Sequence, residues 1–116
     1  MFRILSVGND RMLLESRAAL LRYTGAEVDA ADVQAARSTA MFRKYDLLIL
    51  CQSVPTLDAD ELSEICRFRC PETKILLLGA DIREDETEIN ADSTMCSLEG
   101  PTALIDKVSG WMRRAS

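Results

Sequence analysis

Short apolar runs alternate with longer mixed segments along this chain. Five runs read as strands: Arg3–Val7, Glu27–Ala30, Leu47–Cys51, Ile75–Leu78 and, with a weaker pattern, Thr94–Ser97. The segments between them carry helical spacing. The first helix is expected from Asp10 to Tyr23, with Asp10 as N-cap, an apolar stripe through Leu13, Leu14, Ala18, Leu20 and Leu21, and Gly25 as C-cap. A second starts at Asp32 and places Val33, Ala36 and Ala40 on one face. A third starts near Asp58, with Glu61 three residues on as a loose capping box, and Pro71 ends it. A fourth, short and acidic, is expected over Glu84–Asn90. The last begins at Gly100-Pro101, where proline suits the first turn, and its stripe is Leu104, Ile105, Val108, Trp111 and Met112.

Strands alternating with helices of about 10–15 residues imply parallel pairing through right-handed crossovers. Leu47–Leu50 and Ile75–Leu78 are unbroken apolar runs, as expected of central strands covered on both faces. The expectation is one α/β domain over residues 1–116, a doubly wound five-stranded parallel sheet in the order 2-1-3-4-5 with helices on both faces. Ligands of such sheets bind at the carboxyl ends of the strands, near the switch point between the first and third. Those ends carry Gly8-Asn9-Asp10, Cys51-Gln52, Gly79-Ala80 and Ser97.

Composition narrows the chemistry. The 116 residues include 14 basic and 19 acidic side chains, a formal charge of −5 and no histidine. A sequence pI near 4.7 argues against electrostatic binding to nucleic acid or an anionic membrane. The missing imidazole removes histidine acid–base catalysis, histidine-ligated zinc and a self-contained histidine phosphocarrier. No apolar run approaches the roughly 20 residues that span a bilayer, and the start fits neither a signal nor a transit peptide. A cytoplasmic chain is expected, with Cys51, Cys66, Cys70 and Cys96 reduced.

The strand-end residues offer little catalysis. Gly8-Asn9-Asp10 sits where phosphate loops sit, but it belongs to no G-x-G-x-x-G or Walker pattern, so a tight turn with an Asp N-cap is the simpler reading. Among the strand ends only Asp10 brings a carboxylate, too little for a strong Mg²⁺ site. Cys51 would need a cation or a helix N-terminus to become a nucleophile; the pattern places neither Arg11 nor Lys74 there, so an inert buried thiol is expected. Cys66 and Cys70 lie four apart on a helix, poor geometry for a disulfide and too few thiols for structural zinc. The acidic stretch Asp81, Glu84, Asp85, Glu86, Glu88 and Asp92 reads as a solvated face, the alternative being a docking surface for a basic partner, and Trp111 with Met112 as helix packing, the alternative being an exposed dimer patch.

Taken in order, these segments resemble the receiver domains of two-component response regulators, over the whole chain. Asp46-Leu47-Leu48-Ile49-Leu50 matches the family's third strand, and Pro55, Leu57, Asp58 and Leu62 match the motif that follows it. Leu76-Leu77-Leu78-Gly79-Ala80, Ala91-Asp92 and Pro101 with Leu104 match later signatures. The resemblance implies a flavodoxin-like receiver fold. It also places the family's phosphorylation pocket on residues that lack its chemistry. The Mg²⁺-holding acidic pair falls on Gly8 and Asn9, and a one-residue slip would recover only Asn9-Asp10. The phosphoacceptor aspartate falls on Cys51, the Ser or Thr that senses phosphate on Gly79, the lysine on Ser97, the proline after it on Leu98, and the switch aromatic on Thr94.

The expectation is therefore a degenerate receiver with no catalytic residue, cofactor or metal site. It would be a phosphorylation-independent protein-interaction or dimerisation module, not an enzyme. Its output would act through a separate molecule. The resemblance implies the fourth helix, fifth strand and fifth helix as the contact face. The alternatives are an atypical phosphorelay receiver that is still phosphorylated, a thiol-based sensor using Cys51, and, with least support, a flavodoxin-like enzyme binding a small cofactor.

Overall fold

The computed structural model describes residues 2–51, 53–79, 92–96 and 101–115. In chain order these form β1 (Arg3–Val7), α1 (Arg11–Arg22), β2 (Glu27–Ala31), α2 (Val33–Phe42), β3 (Leu47–Cys51), α3 (Thr56–Arg69), β4 (Lys74–Gly79), β5 (Ser93–Cys96) and α4 (Pro101–Ala115). The five strands make one parallel sheet in the order β2-β1-β3-β4-β5. This is the doubly wound sheet that the alternation of segments predicts. The helix expected over Glu84–Asn90 lies outside the described residues.

Strand side chains alternate between two cores. Leu5, Val7, Leu48 and Leu50 face Ala36 and Ala40 of α2 and Leu62 and Cys66 of α3. Ile4, Leu47, Ile49 and Leu76 face Ala18 and Leu21 of α1 and Leu104 and Val108 of α4. All five residues of β3 are buried. A continuous apolar run is needed there because neither face of that strand meets water. Trp111 and Met112 pack, partly buried, against the α1–α4 core, with the Lys107 ammonium 5.8 Å from the indole centroid. Among the described residues no helix is long and apolar enough to cross a membrane.

Helix starts follow two different rules. Asp10 and Asp32 cap α1 and α2 as the sequence indicates, accepting from the Leu13 and Ala35 amides at 3.3 and 2.9 Å. The third helix differs from expectation. It begins at Thr56, directly after Pro55, and has no side-chain cap. Asp58 and Glu61 do not form a capping box because both pair with Arg37 of α2, tying the two helices together. Gly25 lies beyond the C-cap Tyr23, at φ 92°, a conformation a β-carbon resists.

Asp92, the described member of the acidic stretch, is exposed and also has a structural role. Its carboxylate accepts the Ile75 amide at 2.8 Å and pairs with Arg67 at 3.0 Å, so it pins the start of β5 to β4 and the end of α3. The other acidic residues of that stretch are outside the described residues. At the opposite edge of the sheet, Arg43 pairs with Asp29 and Glu27 of β2, and Arg22 donates to the Val28 carbonyl at 3.0 Å.

Gly25→Ala should destabilise the chain by about 1 kcal/mol or more, because alanine must hold a left-handed backbone. Ile49→Ala should cost about 2–5 kcal/mol through the cavity it leaves. Urea unfolding of both variants beside the parent checks the two values.

Candidate functional site at the carboxyl ends of β1 and β3

The register fixes which residues meet here. Val7 lies opposite Leu50, so the next residues, Gly8 and Cys51, face each other where β1 and β3 end. The Gly8 amide donates to the Ala31 carbonyl at 3.2 Å and holds the β2 end to the same point. A β-carbon built on Gly8 would sit 3.2 Å from Cys51 Sγ and 3.3 Å from Cys51 Cβ. The approach is tight: a β-carbon there would require the Cys51 side chain to give by a few tenths of an ångström.

Asn9 ties the β1–α1 turn to the loop after β3. Its amide N–H donates to Ser53 Oγ at 3.0 Å, and its Nδ2 donates to the Ser53 carbonyl at 2.9 Å. Asp10 is turned to its own helix as N-cap. Gly79 ends β4, buried, opposite Cys96 of β5. Ser97 and Leu98 lie outside the described residues, and of Thr94 only its backbone place in β5 is described. Gly8, Asn9 and Cys51 are thus brought together, Asp10 stands beside them in a structural role, and Gly79 terminates a strand two places from β1.

Two participants escape the sequence reading. Arg17 of α1 reaches down from its helix and donates from Nη1 to Cys51 Sγ at 2.9 Å. This corrects the expectation that no cation reaches the thiol. The helical phase carries the signal, because Arg17 lies three residues after Leu14 and four before Leu21, on the stripe that faces the sheet. Ser53 is a loop hydroxyl with no such signal. Cys51 is 7% exposed. Burial pushes its thiol above the ordinary value, while the Arg17 charge and hydrogen bond pull it down; burial prevails.

These residues do not fit a hard divalent cation. Gly8 has no side chain, the Asn9 nitrogen is committed to Ser53, Asp10 caps a helix, and Cys51 offers a soft sulfur beside a guanidinium that repels a cation. Among the described residues no group of three or more acidic, cysteine or histidine side chains is arranged to hold a metal. A broad groove of about 1140 Å³ between α1 and α2 also adjoins Gly8 and Asn9, with Arg11, Glu15, Arg22 and Asp32 in its mixed-charge walls.

Solved structures place this geometry. A CheY-like response regulator receiver domain protein from Methanospirillum hungatei superposes with a TM-score of 0.81 at 21% identity, over 98% of this chain and 95% of that one. The chain has the response-regulator receiver fold. A second chain of that fold, from the complex of histidine kinase ThkA with response regulator protein TrrA, is 26% identical with a TM-score of 0.77, over 96% and 98% of the two chains. A third structure is described as a family of redox sensors in the streptococci evolved from two-component response regulators. It matches with a TM-score of 0.82 at 23% identity, over 99% of this chain and 52% of that one. No protein-family model matches the sequence, and no curated protein sequence matches it.

Gly8→Asp should therefore not restore a metal site. The new side chain crowds Cys51, at about 1–3 kcal/mol of stability, and Mg²⁺ recovers none of it; urea midpoints with and without the ion test this. Alkaline pH should also weaken the fold. Burial raises the Cys66 thiol from 9.0 to about 11, and the Cys51 thiol and Tyr45 phenol also move up. The unfolded chain loses those protons first, so stability is complete below pH 9 and falls between pH 9 and about 11. A series of unfolding curves across that window checks the sign.

Proposed function

We propose that this chain is a receiver-type signalling module that works without phosphoryl transfer, through contact with a protein partner or a second copy of itself. The observation that carries the reading is the contact between Gly8 and Cys51 beneath Arg17. Where a metal-dependent phosphoacceptor would need two carboxylates, an aspartate and room for a cation, this chain has a glycine, a buried thiol and its own guanidinium. An acyl phosphate needs a carboxylate to form on, and its charge needs a metal to offset it. Neither requirement is met at this strand end. We read the module as a binding protein of a reducing compartment rather than an enzyme.

The partner chemistry is protein. The likeness to a chain from a kinase–regulator complex supports a fold suited to docking. The face that includes β5 and α4 is our candidate surface, following the resemblance. The acidic balance of the chain favours a partner with a basic face.

Incubation with acetyl phosphate and Mg²⁺, read by intact mass, is the test. No phosphoryl adduct is expected, and an adduct on the folded protein would return the chain to the phosphorelay receivers. A substitution scan of the exposed residues of α4, read by light scattering and partner retention, should locate the contact.

A further inference from the structure

We propose that Cys51 is an oxidation site at which a hydroperoxide converts the thiol to a sulfinate held by Arg17, so that an anion is created where receiver domains place their phosphorylated side chain. This deepens the reading above and rests on it, because it assigns a regulation to the same strand-end pocket.

Three features converge on the sulfur. Arg17 is a half-buried cation whose described hydrogen bond is to Cys51 Sγ, at 2.9 Å, and among the described residues no carboxylate pairs with it. A guanidinium in that position favours an anion on the atom it faces. The second feature is Ser6. It is 0% exposed, and its hydroxyl has no hydrogen-bond partner. A buried hydroxyl left unpaired is costly and calls for an acceptor. By strand alternation Ser6 shares a face of β1 with Ile4, and Ile49, opposite Ser6, shares that face with Cys51 on β3; Ile4 and Ile49 belong to the core under α1 and α4. Ser6 thus stands one step further into the sheet than Cys51, on the side that α1 covers. The third is Gly8 itself, which leaves free the space beside the sulfur where a β-carbon would stand 3.2 Å from it.

The chemistry balances with a hydroperoxide as oxidant. The sulfur attacks one peroxide oxygen, an S–O bond forms as the O–O bond breaks, and the departing alkoxide or hydroxide takes the thiol proton. Sulfur becomes a sulfenic acid and the peroxide becomes an alcohol or water. A second equivalent repeats the step and gives the sulfinate, which is ionised at neutral pH. The reaction runs to sulfinate because no second thiol can intercept it. Cys66 belongs to the core on the other face of the sheet, and Cys70 caps the far end of α3. Cys96 is on β5, two strands from β3, about 9–10 Å away by strand spacing and beyond the roughly 7 Å that a disulfide allows.

The experiment treats the full chain with hydrogen peroxide and follows each cysteine by peptide mass spectrometry across neutral to mildly alkaline pH. Cys51 is expected to gain two oxygen atoms ahead of Cys66. In R17M the Cys51 rate should fall about tenfold, the equivalent of one charge-assisted hydrogen bond, and its rise with pH should move to higher pH. R17K should recover part of the loss, which a purely structural role for Arg17 would not give. If R17M does not fold, S6A decides. Slower passage from sulfenic acid to sulfinate supports the proposal, and an unchanged passage overturns it. Oxidation of Cys51 no faster than Cys66, an R17M rate equal to the parent, or a disulfide joining Cys51 to another cysteine would each overturn it as well. Phosphoryl uptake from acetyl phosphate would remove the earlier reading without altering this result. An inert Cys51 would remove this proposal and leave that reading in place.

Discussion

Burial of β3 on both faces is the constraint on which this molecule rests. A parallel strand at the centre of a sheet has its hydrogen bonds taken by two neighbours and its side chains taken by two helical layers. Leu47 to Cys51 meet that condition with five buried residues. The sheet order, the two cores and the meeting of Gly8 with Cys51 follow from it, because the strand that is most enclosed also sets where its neighbours end. A thiol suits the last position of such a strand. It tolerates the burial that a carboxylate would resist, and it still presents a polarizable atom to Arg17.

The same constraint explains why the fold was legible in the sequence. Strands whose two faces are both covered must be apolar throughout, so Leu47–Leu50 and Ile75–Leu78 could not be mistaken for solvent-facing segments. The aspartate caps at Asp10 and Asp32 were readable because a side-chain oxygen and an amide three residues on are local partners. The start of α3 was not readable in that way. Asp58 and Glu61 have cap-like spacing, yet Arg37 of another helix takes both, and local spacing carries no record of a long-range rival.

The site was legible in its positions and not in its contacts. Cys51, Gly8 and Asn9 fall at strand ends whatever their side chains do. Arg17 was hidden by its length, since its charge suggests solvent while its helical phase points to the sheet, and a flexible side chain can satisfy both. Ser53 was hidden because a loop serine has no periodicity. The ties of Asp92 were not legible because a run of acidic residues carries no sign of which exposed member is also held by a backbone amide and an arginine.

The outer edge of β2 has a different consequence. Its sheet neighbour lies on one side only, and a bare strand edge is a template on which another chain can grow. Here Arg22 occupies the Val28 carbonyl, and Glu27, Asp29 and Arg43 line the same border with charge. An incoming strand would have to displace a guanidinium and strip water from three ionised side chains before its first hydrogen bond formed. Charge along that border works against cross-β growth from it.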